Sequence, residues 1–113
     1  MLRADFHTHT SFCDGKNTPR EMVRAAWEKG FTDFGISGHA DYSFCDPGFG
    51  MSDAVLERYK QELFKLREEY RGRMNLYIGI ELDCLGPVQS AEYVIGSTHC
   101  VCRNGEYVSV DDT

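Results

Sequence analysis

The sequence has 113 residues, of which 42% are apolar and 27% charged, and its formal net charge is −6. That is one domain's worth of chain with an ordinary globular composition, which excludes a disordered polymer, and no apolar run approaches the roughly 20 residues of a membrane span. The acidic balance disfavours nucleic-acid binding, and the start MLRADFHTHT lacks the apolar stretch of a secretory leader, so a cytoplasmic protein is expected.

Residues 3–6 read as a short strand running into His7. Thr18 and Pro19 open a helix, with a Thr cap, Pro at the first helical position and Glu21 in the first turn. Met22, Ala25, Ala26 and Lys29 carry its 3.6-residue period, and Gly30 stops it. Residues 31–38 form a second strand, and 40–51 a turn-rich, aromatic loop. Ser52 or Asp53 caps a second helix over 53–71, with Val55, Leu56, Tyr59, Leu63, Leu66 and Tyr70 along one side and Gly72 at its end. Residues 75–83 and 92–97 are two further strands. Asn104-Gly105 between two β-prone runs predicts a C-terminal hairpin through a type I′ turn. Strands alternating with helices predict an α/β fold, with a parallel sheet or part of a (β/α) barrel.

The five cysteines, Cys13, Cys45, Cys84, Cys100 and Cys102, are odd in number and follow no secretory signal, so all five are expected to be reduced structural thiols. Arg71 and Arg73 flank Gly72 and read as the charge pattern of a helix C-terminus.

Chemistry concentrates at the strand ends. The first strand ends in His7-Thr8-His9, and residues i and i+2 of a strand share a face, so both imidazoles can reach one ion. His39 closes the second strand, on the face of Ser37 and Gly35. Glu81 lies on the face of Gly79, while Ile78, Ile80 and Leu82 point to the core. Ser97-Thr98-His99 follows the fourth strand. All four histidines therefore fall at C-terminal strand ends, where parallel α/β folds bind their ligands. Asp14, in the loop after His9, adds a hard oxygen. Asp41 and Asp83 read as outer-sphere or solvated carboxylates, and Lys16 as a solvated loop lysine. Imidazoles with bridging carboxylates suit zinc, manganese or iron. Two or three such ions about 3.5–4 Å apart can clamp a phosphate oxygen between them. Glu81 would bridge two ions, His7 and His9 would hold the first, His99 the second, and Asp14 with His39 a third.

His7-Thr-His9-Thr, Phe12-Cys-Asp14-Gly-Lys, Thr18-Pro-Arg-Glu-Met, Gly35-Ile-Ser-Gly-His39-Ala-Asp, Gly79-Ile-Glu81 and Gly96-Ser-Thr-His99 together resemble the PHP superfamily, and within it the histidinol-phosphatase branch. The resemblance spans essentially the whole chain. It implies the N-terminal portion of a distorted (β/α)7 TIM-like barrel with a trinuclear metal site at its mouth. It also implies hydrolysis of L-histidinol phosphate to L-histidinol and phosphate in histidine biosynthesis. His7, His9, Asp14, His39, Glu81 and His99 match the family's ligand positions, and the resemblance implies a metal-bridging hydroxide rather than a side chain as the nucleophile. A barrel of this kind needs on the order of 250 residues. The expectation is therefore a single, incomplete PHP domain over 1–113, a fragment lacking the family's later His or Cys ligand and its C-terminal Asp-x-His pair. The expected partner is a small phosphate ester, with no nucleic acid and no membrane. The competing readings are a phosphodiesterase or nuclease domain of the same superfamily, and a non-catalytic metal-binding module.

Overall fold

The structure is a computed structural model and describes residues 3–45 and 50–109. Eight elements follow in chain order: β1 (Ala4–Asp5), α1 (Pro19–Glu28), β2 (Asp33–His39), α2 (Asp53–Glu69), β3 (Asn75–Asp83), β4 (Tyr93–Ser97), β5 (Cys100–Arg103) and β6 (Glu106–Ser109). The first four strands make one parallel sheet in the order β1-β2-β3-β4, and β5 and β6 make a separate antiparallel hairpin.

Each helix starts where local chemistry allows it. At α1, Thr18 Oγ1 accepts from the Glu21 amide at 3.2 Å and Glu21 Oε1 accepts from the Thr18 amide at 3.0 Å, a reciprocal capping box. At α2 the choice between Ser52 and Asp53 falls on Ser52, whose hydroxyl accepts from the Val55 amide. The expected face of α1 needs correction. Val23 and Ala26 are buried, Met22 only partly, and Ala25 and Lys29 are exposed. A ten-residue helix leaves its period free to rotate by about a residue, and packing against the sheet turns Val23 inward and Ala25 and Lys29 outward. Of the stripe expected on α2, Leu56, Tyr59, Leu63, Leu66 and Tyr70 are buried and Val55 is partly buried against the same core.

Both crossover helices cover one face of the sheet. Val23 and Ala26 of α1 and Leu56, Leu63 and Leu66 of α2 meet Phe34, Ile36, Leu76, Ile78 and Ile80 in one core. Burying each large aliphatic side chain contributes about 2 kcal/mol, so this layer is the main stabilising feature. The residues between them on β2 and β3 face the other way. There Gly35 and Gly79 leave room for the Tyr93 ring, into which a Cβ at either position would run. Phe6 meets Tyr77 and Tyr93 edge-on, with ring centroids 5.5 and 6.0 Å apart.

The hairpin turns as expected. Asn104 and Gly105 both take positive φ, 53° and 80°, the requirement of a type I′ turn. The expectation that all cysteines are reduced is overturned, because Cys45 and Cys100 form a disulfide across 55 residues. Counting cysteines gives their number but not their proximity, and here the fold brings the loop after β2 against the start of β5. Cys13, Cys84 and Cys102 are free. The expected loop at 40–51 falls partly on 46–49, outside the described residues.

Candidate metal centre

Parallel register aligns the C-terminal ends of the strands. His39 pairs with Glu81 across β2 and β3, and Glu81 with Ile95 across β3 and β4. β1 is formally short, but the chain continues beside β2 beyond it: the Ser37 amide donates to Thr8 O at 2.8 Å and Thr8 Oγ1 donates to Gly35 O at 2.8 Å. That pairing carries His7 and His9 to the same edge. The following loop folds back on itself, with the amides of Cys13 and Gly15 both donating to Thr10 O, and this returns Asp14 over His9. His99 lies two residues past β4.

All six expected residues converge. Glu81, 5% exposed, is the centre. Its Oε1 contacts His7 Nε2 and lies 3.6 Å from His9 Nε2, and its Oε2 lies 3.0 Å from His39 Nδ1 and 2.8 Å from His99 Nε2. Asp14 faces the other side of the group, 3.2 Å from His39 Nε2 and 3.8 Å from His9 Nδ1. The His9 and His39 rings stack at 4.3 Å. Three sets of donor atoms lie close enough to hold an ion each: His7, His9 and Glu81; His9, Asp14 and His39; and His39, Glu81 and His99.

The donor set itself tests whether cations fit. A neutral imidazole carries one N–H. His39 presents both ring nitrogens to carboxylate oxygens, and burial, the largest influence, holds its pKa below the usual histidine value against the pull of Asp14 and Glu81. A neutral ring must then turn one lone pair toward an anionic oxygen. A cation bound between the two removes that conflict, and imidazole with carboxylate is a donor set that divalent transition metals favour.

Asp83 behaves as an outer-sphere residue. It is buried, its Oδ2 accepts from the His99 amide at 2.7 Å, and the same oxygen lies 3.2 Å from His99 Nδ1. That contact favours the His99 tautomer that keeps Nε2 turned to Glu81. Asp41 does not join the cluster. Its carboxylate accepts from the Ser43 amide at 2.9 Å, within its own turn. Lys16 is exposed. Sequence reasoning missed three supports. Tyr42 packs its ring edge-on to His99 at 5.2 Å. Gln89 is buried, accepts from the Asp41 amide at 2.7 Å, and donates to Met51 O and Asp53 Oδ1. Tyr59 reaches the strand ends from α2. Asp83, by contrast, was signalled, since it shares a strand face with Glu81 by alternation.

A parallel sheet with a buried carboxylate ringed by four imidazoles at its C-terminal edge defines a candidate metal-binding α/β protein. The chain belongs to the PHP family, whose domain matches residues 5–111. It is 40% identical over 91 residues to a histidinol-phosphatase of Bacillus subtilis, an alignment covering 74% of this chain and 34% of that protein. A crystal structure from Listeria monocytogenes shares the fold, with a TM-score of 0.83 and 24% identity, over 98% of this chain and 50% of the other. The histidinol phosphate phosphatase of Lactococcus lactis, solved with zinc, L-histidinol and phosphate, matches with a TM-score of 0.70 and 27% identity over 86% of this chain and 40% of that one. The chain thus spans 34% of the Bacillus subtilis protein and 40–50% of the two solved structures, and its sheet is a curled half-barrel of four parallel strands. No helix among the described residues is long and apolar enough to cross a membrane.

Proposed function

We propose that this chain supplies the metal-binding edge of a phosphomonoesterase that hydrolyses L-histidinol phosphate in the cytoplasm, with residues 1–113 as one PHP domain of a distorted (β/α)7 barrel. The observation that carries this reading is the convergence of imidazole nitrogens on the two oxygens of Glu81. Similarity to the Lactococcus lactis protein crystallised with zinc, L-histidinol and phosphate supports the substrate class.

His7 and His9 would hold one divalent ion, His99 a second, and Asp14 with His39 a third, with Glu81 shared between two. The ions, two or three of zinc, manganese or iron, supply when bound a Lewis acid for the phosphoryl oxygens and an acidified water. The protein's own share is positioning. Glu81 is held almost fully out of water, so its charge acts at low dielectric on whatever shares its oxygens. Asp83 fixes the His99 ring, and the stacked His9 and His39 rings fix each other. Side-chain exposures of 55% at His7 and 41% at Asp14 leave the outer rim of the site open to an incoming anion.

The test is phosphate release from L-histidinol phosphate by the whole chain, with and without EDTA and with zinc or manganese restored. Turnover that EDTA abolishes and metal restores supports the proposal. Cleavage of single-stranded DNA instead would move the chain to a phosphodiesterase reading, and metal uptake with no hydrolysis of either substrate would leave a binding module or a front half whose site closes only with the rest of the barrel.

A further inference from the structure

We infer that Tyr59 is a positioning residue for this site, its hydroxyl pinning the ends of β2 and β3 and thereby setting the spacing of His39 and Glu81. The assignment of those two as ligands rests on the metal-centre reading; the pinning of the strands does not.

Tyr59 projects from the middle of α2 and is fully buried. Its hydroxyl is the polar end of an otherwise apolar stripe. It accepts from the Gly38 amide at 3.2 Å, and its single proton is offered to Gly79 O at 2.7 Å or Ile36 O at 2.8 Å. Gly38 immediately precedes His39, and Gly79 lies two residues before Glu81. One phenol therefore ties both strands at the last step before their functional side chains emerge. Its ring also packs against Phe12, centroids 5.8 Å apart, and Phe12 is two residues before Asp14. Three of the segments that carry site residues thus rest on one helix side chain.

The geometry explains why a tyrosine stands where α2 needs only an apolar filler. A phenylalanine would fill nearly the same volume. It would also remove the hydroxyl that links Gly38 N, Ile36 O and Gly79 O, leaving the two strand ends joined by their ladder alone. The site needs its donors held closely, because outer-sphere changes typically cost 10–100-fold in metal affinity.

The experiment compares wild type, Tyr59→Phe and Leu63→Ala. Leu63 lies one turn further along α2, is equally buried, and serves as a control for general loss of stability. In EDTA-treated protein, hydrogen exchange of the Ala40 amide, which donates to Glu81 O at 2.9 Å, reads the strand ends without any metal. The expected result is at least a tenfold acceleration at Ala40 in Tyr59→Phe, with Leu76 at the far end of the sheet unchanged and no such local effect in Leu63→Ala. A cobalt(II) titration, followed by visible absorption, should then show roughly tenfold or greater weakening in Tyr59→Phe and wild-type affinity in Leu63→Ala. Wild-type exchange at Ala40 in Tyr59→Phe overturns the inference, as does equal acceleration in both variants or unchanged cobalt affinity in Tyr59→Phe. If wild-type chain takes up no cobalt, the metal reading falls and the exchange data alone decide the role of Tyr59.

Discussion

Glu81 and Asp83 leave β3 on the same face and divide the work around His99, one facing its Nε2 and the other its Nδ1. That division makes a prediction. Asp83→Asn should weaken metal binding about 10–100-fold, because the amide no longer offers a charged acceptor to the ring. Calorimetric titration with zinc measures it, and full affinity in the variant would mean that His99 is oriented by something else. On the proposed phosphatase reading, His39→Ala in the completed protein should lower phosphate release by roughly a hundredfold, about 2.7 kcal/mol of barrier, with far-ultraviolet circular dichroism unchanged. An equally active variant would remove His39 from the site. Most of the six converging residues were legible because alternation along a strand is a short-range rule and His-x-His, His39, Glu81 and His99 fall at or just past strand ends, whereas Asp14, in a loop, was singled out only by its nearness to His9. Tyr59, Tyr42 and Gln89 were not legible. Each acts across 20 to 57 residues of chain, and only the fold puts the phenol of an apolar helix stripe under two strand ends.

At the scale of elements, the caps and the sheet register decide where these side chains arrive. Thr18→Ala removes the acceptor of the α1 capping box and should cost about 1 kcal/mol, read from the urea midpoint. An unchanged midpoint would show that packing of Val23 and Ala26 alone fixes the helix start. The two helices are also tied by Arg20, whose guanidinium donates to both oxygens of Glu69 at 2.7 and 2.8 Å. That hydrogen bonding holds the Glu69 carboxyl below its usual pKa. The contribution is therefore present above the unfolded-state value and lost as pH falls through the folded-state value. Glu69→Gln should lower the melting temperature at pH 7 and leave it unchanged near pH 2, where wild type has lost the pair as well; a constant difference at both pH values would contradict this. Element boundaries were mostly legible. β3 spans the expected 75–83, whereas β1 is two residues long because only those residues enter the regular ladder before the chain bends toward His7. The face of α1 was misread because its sequence offers two nearly equivalent stripes.

Over the whole molecule, four parallel strands curl with both helices on one side and an aromatic group, Phe6, Tyr77 and Tyr93, on the other. The hairpin is fastened back to the site from outside: Cys100 follows His99 and is joined to Cys45, and Tyr107 packs on Phe44 at 5.2 Å. Thiol titration of denatured, unreduced protein should therefore find three reactive cysteines rather than five. A count of five would mean that the pair stays open, as reducing compartments favour. The central claim is that Glu81 organises a shared metal site, and elemental analysis of purified wild type beside Glu81→Gln, His7→Ala and His99→Ala tests it most directly. Two or more divalent ions per chain in wild type, with Glu81→Gln losing more metal than either histidine variant, is the predicted result, since a bridging carboxylate holds two ions. Metal-free wild type, or equal losses in all three variants, would contradict it.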